Sequence, residues 1–215
     1  MKRRSVLAGF AVAGIGLTGG AGAATEVRRT FKILRNGSDI GRHSLVARTT
    51  GEGFEIVIDI EIVVRVLGIA AYRYELSNTE VWAGGRLLRL DSRTNDDGDP
   101  FAVSVRGDGT SLAIEGTGHN GLVPSDAVTT SYYVPDFMQR RPWISTQSGK
   151  PLAVNAQPQG QGPRRVYQVT GDIKTRLSYD ARGEWIGSEF DAGGEPARYE
   201  VIEDTGLIAP LWRAA

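Results

Sequence analysis

Three acidic side chains in the first half of the chain are the candidates for acid–base chemistry. Asp59, Glu80 and Asp91 lie in consecutive β-like stretches, and two-residue turns between these stretches would place them on one face of a sheet. Two strand spacings would separate Asp59 from Asp91 by ~10 Å, near the upper separation of the carboxyl pair in inverting glycosidases. Arg89 and Arg93 alternate with Asp91, however, and nearby guanidinium groups keep a carboxyl ionised, whereas a general acid needs a raised pKa. A hydrolase is therefore the alternative interpretation.

The other reactive residue types are few and poorly spaced for a site. The chain has no cysteine, and its only imidazoles are His43 and His119, which makes a metal site weak. Residues 37–41 have the wrong spacing for the nucleophile elbow of a serine hydrolase. The acidic run 95–99 is followed by Pro100, where a helix-loop-helix calcium site needs glycine, so a solvated turn is favoured over calcium binding. We expect no catalytic residue, no metal and no cofactor.

The same β-like stretches carry aromatic and polar side chains that suit a binding surface. Aromatic rings offer stacking area, and charged or amide groups offer hydrogen bonds to a ligand. The predicted ligand-binding face consists of Tyr72, Tyr74, Asn78, Glu80, Trp82, Arg89, Asp91 and Arg93. The alternative is a solvated outer face stabilised by cross-strand pairs such as Glu80–Arg89.

Three long antiparallel strands must position these residues. The first, residues 54–67, contains neither glycine nor proline, and residues 72–82 and 87–95 form the second and third strands. Two-residue turns at Gly68-Ile69 and at Gly84-Gly85 would set the register between them.

This register gives the two faces of the sheet different compositions. The apolar row from Ile56 to Val66 would form the core face, opposite the predicted ligand-binding face. Its neighbours in the other two strands would be Ser77, Thr79, Val81, Leu88, Leu90 and Ser92. A three-residue turn in either place would reverse the face of one strand, because side chains alternate along a strand.

The rest of the chain has the pattern of short strands and turns. Asn36-Gly37 between two β-like runs indicates a hairpin, and no run of ten or more residues after the N-terminal segment shows helical periodicity. We predict an all-β fold, a long antiparallel meander of about ten to twelve strands curled into an open or closed barrel. The loop at 124–135 either plugs or covers the barrel mouth, or packs Tyr132 or Tyr133 on the core.

The N-terminal segment has the features of an export signal. A basic start at residues 1–4, an apolar stretch at 6–17 and Ala21-Gly22-Ala23 predict a signal peptide at 1–23 and a single β-barrel-like domain at 24–215. Arg3-Arg4 also resembles a twin-arginine signal, with an ordinary secretory signal as the alternative. We expect a periplasmic protein whose mature chain has no transmembrane segment.

Several motifs of the chain form a recognisable combination. They are Leu67-Gly68-Ile69, Tyr72-Arg73-Tyr74, Glu80-Val81-Trp82, the run from Leu90 to Gly98, and Thr130-Ser131-Tyr132-Tyr133. Over residues 31–203 the chain resembles an uncharacterised family of secreted bacterial proteins, domain of unknown function family 6134. In its second half, residues 146–149 and 169–172 are distantly similar to another family of curled β-sheet envelope proteins of unknown function. Both resemblances imply an exported β-domain, and neither implies an activity or site residues.

The favoured function is a non-catalytic periplasmic protein that binds a small or lipid-like ligand or an envelope protein. Loss of the signal peptide leaves 22 basic against 25 acidic residues, which does not favour nucleic acid as a partner. The alternative is a periplasmic hydrolase of envelope glycans or esters that uses Asp59, Glu80 and Asp91. A purely structural partner of a neighbouring protein is the third interpretation.

Overall fold

Two antiparallel meanders account for most of the chain in this computed structural model, which describes residues 26–215. The predicted signal peptide at 1–23 therefore lies outside the described residues. The first meander comprises β1 (Glu26–Arg35), β2 (Ser38–Thr50), β3 (Gly53–Val66), β4 (Ile69–Ala83), β5 (Arg86–Asp96), β6 (Asp99–Gly107), β7 (Ser111–Gly116) and β8 (His119–Pro124). An insertion follows, with β9 (Val128–Thr129), a 3-10 helix (Pro135–Gln139), β10 (Trp143–Ile144) and β11 (Pro151–Leu152). The second meander comprises β12 (Val154–Gln159), β13 (Arg165–Gly171), β14 (Thr175–Tyr179), β15 (Trp185–Asp191) and β16 (Pro196–Asp204), and the helix α1 (Ile208–Ala214) ends it.

Pairing between the first and the last of these strands joins the two meanders into one sheet. β1 lies antiparallel to both β2 and β16, so the strand order runs from β12 to β16, then from β1 to β8. The edge strands β12 and β8 do not pair with each other in the described structure. The predicted all-β class and the curled antiparallel meander are confirmed. The sheet is open, and it has thirteen strands.

The register of the β3–β4 hairpin differs from the predicted one. The turn residues are Leu67 and Gly68, both with positive φ, rather than Gly68 and Ile69. A β-bulge opposite the step from Val64 to Arg65 leaves Ala71 without a partner. This extra residue reverses the face of β4. The isoleucine row of β3 therefore shares its face with the predicted ligand-binding residues of β4, not with Ser77, Thr79 and Val81.

A second bulge reverses the face relation between β4 and β5. The turn at Gly84-Gly85 lies where it was predicted, but the step from Val81 to Trp82 opposes three residues of β5, and Leu88 has no partner. The two reversals cancel, so β5 keeps the face predicted for it relative to β3. Leu90 and Ser92 therefore lie on the same face as the isoleucine row. The predicted neighbour Leu88 does not follow this pattern and is 36% exposed.

The predicted apolar row is buried over only part of its length. Phe54, Ile56 and Ile58 are at most 2% exposed, whereas Ile60, Ile62 and Val64 are half-buried and Val66 is exposed. The inner face of the curled sheet thus has a well-packed end near Phe54 and a less covered end towards the β3–β4 turn.

The insertion between β8 and β12 fills the well-packed end. Tyr133 and Phe137 are buried, and their rings lie 5.7 Å from Phe54 and 5.2 Å from Trp82, respectively. Of the two predictions for the loop at 124–135, packing of Tyr133 on the core is thereby established. The loop also occupies the interior, between strands of both meanders.

A buried ion pair fixes α1 against this end of the sheet. Arg29 on β1 donates to the carboxylate of Glu184 at 2.8 Å, and both side chains are at most 2% exposed. The Glu184 carboxylate also accepts the backbone N–H groups of Ile208 and Ala209, at 3.1 and 2.8 Å. These groups begin α1 and have no partner within the helix. Among the described residues, no helix is long and apolar enough to cross a membrane.

The ion pair predicts a large stability loss in Glu184→Ala. The substitution leaves the buried Arg29 guanidinium with the partly exposed Asp204 as its remaining carboxylate partner among the described residues, and it removes two acceptors from the start of α1. Breaking one side of a buried pair typically costs ~3–5 kcal/mol of unfolding free energy, which urea denaturation measures. The control is Glu189→Ala, because the Arg176–Glu189 pair is exposed and we expect a change within ~0.5 kcal/mol. Equal losses in the two variants would contradict this role for Glu184.

Candidate functional site

Three residues of the predicted ligand-binding face lie in the protein interior. Asn78, Glu80 and Trp82 are at most 1% exposed on the inner face of β4. Because they are packed against the insertion, they do not offer a surface to a ligand. Their assignment to one open face with the charged residues of β5 is wrong, and the bulge at Leu88 is the physical reason.

The charged residues of that predicted face lie on the outer side of the sheet. There Arg89 pairs with Glu52, and Asp91 pairs with Arg106, each with an N–O distance of 2.8 Å. The predicted Glu80–Arg89 pair is therefore also wrong. Asp59 shares this outer side with Asp91, whereas Glu80 points inward. The three carboxylates of the alternative hydrolase therefore do not come together. Among the described residues, no three His, Asp or Glu side chains are grouped to hold a metal ion.

Glu80 is a buried acid surrounded by neutral donors. Asn78 Nδ2 and Ser131 Oγ donate to its Oε1 atom, and Trp82 Nε1 donates to Oε2 at 2.9 Å. Tyr133 OH adds a long contact of 3.5 Å. Burial raises the pKa of Glu80, and its hydrogen bonds offset part of that rise. Since Ser131 and Tyr133 belong to the insertion, this carboxyl ties the insertion to β4.

His43 is enclosed by aromatic rings. Its ring centroid lies 5.1 Å from Trp185, 5.4 Å from Tyr199 and 6.1 Å from Phe31. Neither ring nitrogen has a hydrogen-bond partner among the described residues. Burial lowers the pKa of His43 to about 3, because the charged imidazolium loses its hydration in the interior. His43 is therefore a neutral core residue and not a proton-transfer group near neutral pH.

Tyr72 and Tyr74, the remaining residues of the predicted face, line an interior cleft at the less covered end. This apolar cleft consists of two adjoining cavities of about 390 and 400 Å³, which share Ile62, Tyr72 and Phe190. The first is also lined by Ile60, Tyr74, Leu76, Thr130, Tyr132, Ser145, Thr146, Gln147, Leu152, Ile173 and Tyr199. The second is also lined by Arg35, Ile40, Val64, Ala192 and Gly193. Both meanders and the insertion thus contribute walls to one apolar space.

A hydrogen-bond network holds the two tyrosines in place. Tyr72 OH donates to Asp96 at 2.7 Å, and Gln147 Nε2 donates to the same carboxylate at 2.9 Å. Tyr74 OH donates to Gln147 Oε1 at 3.4 Å. Burial, followed by the hydrogen bond to Asp96, raises the pKa of Tyr72, and burial raises that of Tyr74. Both rings are therefore neutral walls of the cleft, with their hydroxyl groups engaged.

A larger depression crosses the outer face of the sheet but has a different character. It measures about 1050 Å³ and includes the predicted residue Arg93, together with Asp59, Arg42 and Glu61. Charged side chains of both signs from neighbouring strands line it, as is usual for a solvated sheet surface. The apolar cleft is the better candidate, because aromatic and aliphatic side chains from both meanders line it together with a few polar groups, as in small-molecule sites.

The far wall of the cleft comes from residues that no sequence pattern singles out. Phe190 and Tyr199 lie on β15 and β16, more than 100 positions along the chain from Tyr72. They come close to β3 and β4 only through the pairing of β16 with β1. No local pattern in the sequence indicates that pairing.

Comparisons with known proteins agree with this architecture and add no activity. The model of the family described as Domain of unknown function (DUF6134) matches residues 31–202, and the chain belongs to this family. The fold is similar to that in the crystal structure of a beta-barrel-like protein of Domain of Unknown Function DUF1849 from Brucella abortus. That likeness has a TM-score of 0.55 at 9% identity and covers 85% of this chain and 98% of the other. The comparison with curated proteins gives no match.

The burial of His43 predicts a pH dependence that His43→Leu should remove. The unfolded chain binds a proton at His43 below its ordinary pKa of 6.5, whereas the folded protein does so only near pH 3. The wild type therefore loses stability as the pH falls, by about 2 kcal/mol between pH 7.5 and pH 5.0 from this residue. Urea denaturation at both pH values measures the free energy of unfolding. Between pH 7.5 and pH 5.0 the leucine variant should lose about 2 kcal/mol less of this free energy than the wild type.

The comparison between variant and wild type isolates His43 from other titrating groups. Glu80 acts in the opposite sense, because its raised pKa makes the folded protein lose stability as the pH rises. That contribution is common to both proteins and cancels in the difference. His119→Leu, at the start of β8, is the control. An unchanged pH dependence in His43→Leu would show that His43 has a partner in solution.

Proposed function

We propose that this member of the family is an exported, non-catalytic protein that binds a small, lipid-like ligand in the apolar cleft. One observation carries the proposal: two adjoining cavities with aliphatic and aromatic walls lie inside a sheet whose other end is filled. In a curled sheet whose interior is filled by its own side chains, no such space remains. The N-terminal features of residues 1–23 support export to the periplasm.

The lining of the cleft suggests the chemical class of the ligand. Ile62, Val64 and Phe190 offer dispersion contacts to an acyl chain or a fused ring, without any hydrogen bond to specify them. Arg35 is the charged residue among those lining the second cavity, and its Nε donates to the carbonyl of Ala192 at 2.7 Å. A guanidinium beside an apolar space favours an anionic head group. A long-chain fatty acid is the simplest ligand with both features.

Ile62→Asp should weaken ligand binding strongly. Ile62 lines both cavities, so a carboxylate at this position places charge against the ligand chain and next to its anionic group. Titration of the purified mature protein with a fluorescent long-chain fatty acid should show saturable binding, weakened at least about tenfold in the variant. The same titration with the corresponding fatty alcohol measures the contribution of Arg35.

Val63→Asp provides a matched control for this substitution. Val63 is the next residue of β3, is also half-buried and faces the opposite side of the sheet, outside the residues that line the cleft. It introduces the same charge into the same strand, and we expect binding close to that of the wild type. Equal binding by both variants would place the ligand elsewhere, and no binding by the wild type would contradict the proposal.

A further inference from the structure

The β3–β4 hairpin extends beyond the rest of the sheet. β2 pairs with β3 only as far as Ile62, and β5 pairs with β4 only from Tyr74 onwards. Residues 63–73 therefore form a two-stranded arm, named here the hairpin arm. The four residues of β3 beyond Ile62, at ~3.3 Å each, carry its tip ~13 Å past the neighbouring strands.

The tip of the hairpin arm exposes large apolar side chains. Leu67 is 98% exposed, Ile69 74% and Val66 57%. These three residues are adjacent at one turn, unlike isolated apolar residues that are common on any protein surface. No other described part of the chain covers them.

Leu67 also has an unfavourable backbone conformation for its residue type. In three turns of the described sheet, a residue other than glycine has positive φ and is followed by a glycine with positive φ, and that first residue is Asn36, Leu67 or Asp97. Asparagine and aspartate tolerate this region, whereas leucine does not favour it. Neither backbone preference nor burial therefore explains a leucine at position 67.

The charges of the hairpin arm restrict what can cover its tip. Residues 63–73 contain Arg65 and Arg73 and no acidic residue. Arg73 is engaged at the base of the arm by Glu75, at 3.3 Å, whereas Arg65 lies next to the apolar tip and forms no ion pair with the described residues. A phospholipid bilayer has phosphates at its surface and hydrocarbon beneath them. An apolar tip with a cation just behind it is complementary to that arrangement.

We propose that the hairpin arm docks the protein on a phospholipid bilayer, with Val66, Leu67 and Ile69 inserted and Arg65 at the phosphates. The arm is continuous with the apolar cleft, because Val64 and Tyr72 belong to the arm and line the cleft. A docked arm thus brings the second cavity of the cleft close to the lipid surface. The docking surface does not depend on the cleft being a ligand site.

Leu67→Asn is the decisive variant, since it removes the apolar side chain and installs the residue that the turn favours. We expect the variant to fold at least as well as the wild type, as thermal unfolding will show. In sedimentation with vesicles of mixed phosphatidylcholine and phosphatidylglycerol, the wild-type mature protein should bind, and Leu67→Asn should bind roughly tenfold more weakly. Arg65→Gln should lose the preference for these vesicles over pure phosphatidylcholine.

Leu122→Asn is the matched control, because Leu122 on β8 is 72% exposed but lies away from the arm. It should bind vesicles as the wild type does. No vesicle binding by the wild type, or equal binding by Leu67→Asn, would overturn the proposal. A concentration-dependent dimer that is lost in Leu67→Asn, without vesicle binding, would instead assign the tip to contact between copies. Vesicle binding that persists in Ile62→Asp while fatty-acid binding is absent in all proteins would overturn the proposed ligand and leave the docking intact.

Discussion

The interior of this protein depends on one unpaired residue, Ala71, in the β3–β4 hairpin. Side chains alternate along a strand, so an extra residue reverses the face of every residue beyond it. With Ala71 unpaired, β4 directs Asn78, Glu80 and Trp82 inward, alongside the isoleucines of β3. Without the bulge, β4 would instead direct Ser77 and its alternate neighbours inward. The insertion would then lack the carboxyl group that accepts its hydrogen bonds.

The inward direction of β4 explains why a polar group is tolerated at the centre of the fold. A sheet of thirteen strands encloses more space than its own side chains fill, and the insertion occupies part of it. The insertion contributes Ser131 and Tyr133 to Glu80, while β4 contributes Asn78 and Trp82. Burial of an acid is costly unless its oxygens are satisfied, and here the donors come from both partners. The network therefore fixes where the insertion docks, and it leaves the far end of the interior as the apolar cleft.

The sequence predicts the strands and much of the turn chemistry, because these follow from local patterns. Asn36-Gly37 and Gly84-Gly85 are turns, as their residue types indicate. It does not predict the bulges at Ala71 and Leu88, since neither residue differs in type from ordinary strand residues. Because the bulge at Ala71 was not predicted, Glu80 was predicted on the wrong face of the sheet. The pairing of β1 with β16 could not be predicted from the sequence either. It joins residues separated by almost the whole chain and depends on the curl of the sheet.

The two ends of β3 and β4 are under different physical constraints. At one end, Phe54 and Trp82 are fully buried against the insertion and α1, so their size and shape are set by close packing. At the other end, no described strand pairs with the outer edges of the hairpin arm, and an isolated two-stranded ribbon is marginal in water. The strands of the arm continue into the packed interior, whereas Leu67 and Ile69 at its tip are largely exposed. The packing of the described residues thus does not require the apolar character of the tip, which the proposed contact with a bilayer would explain.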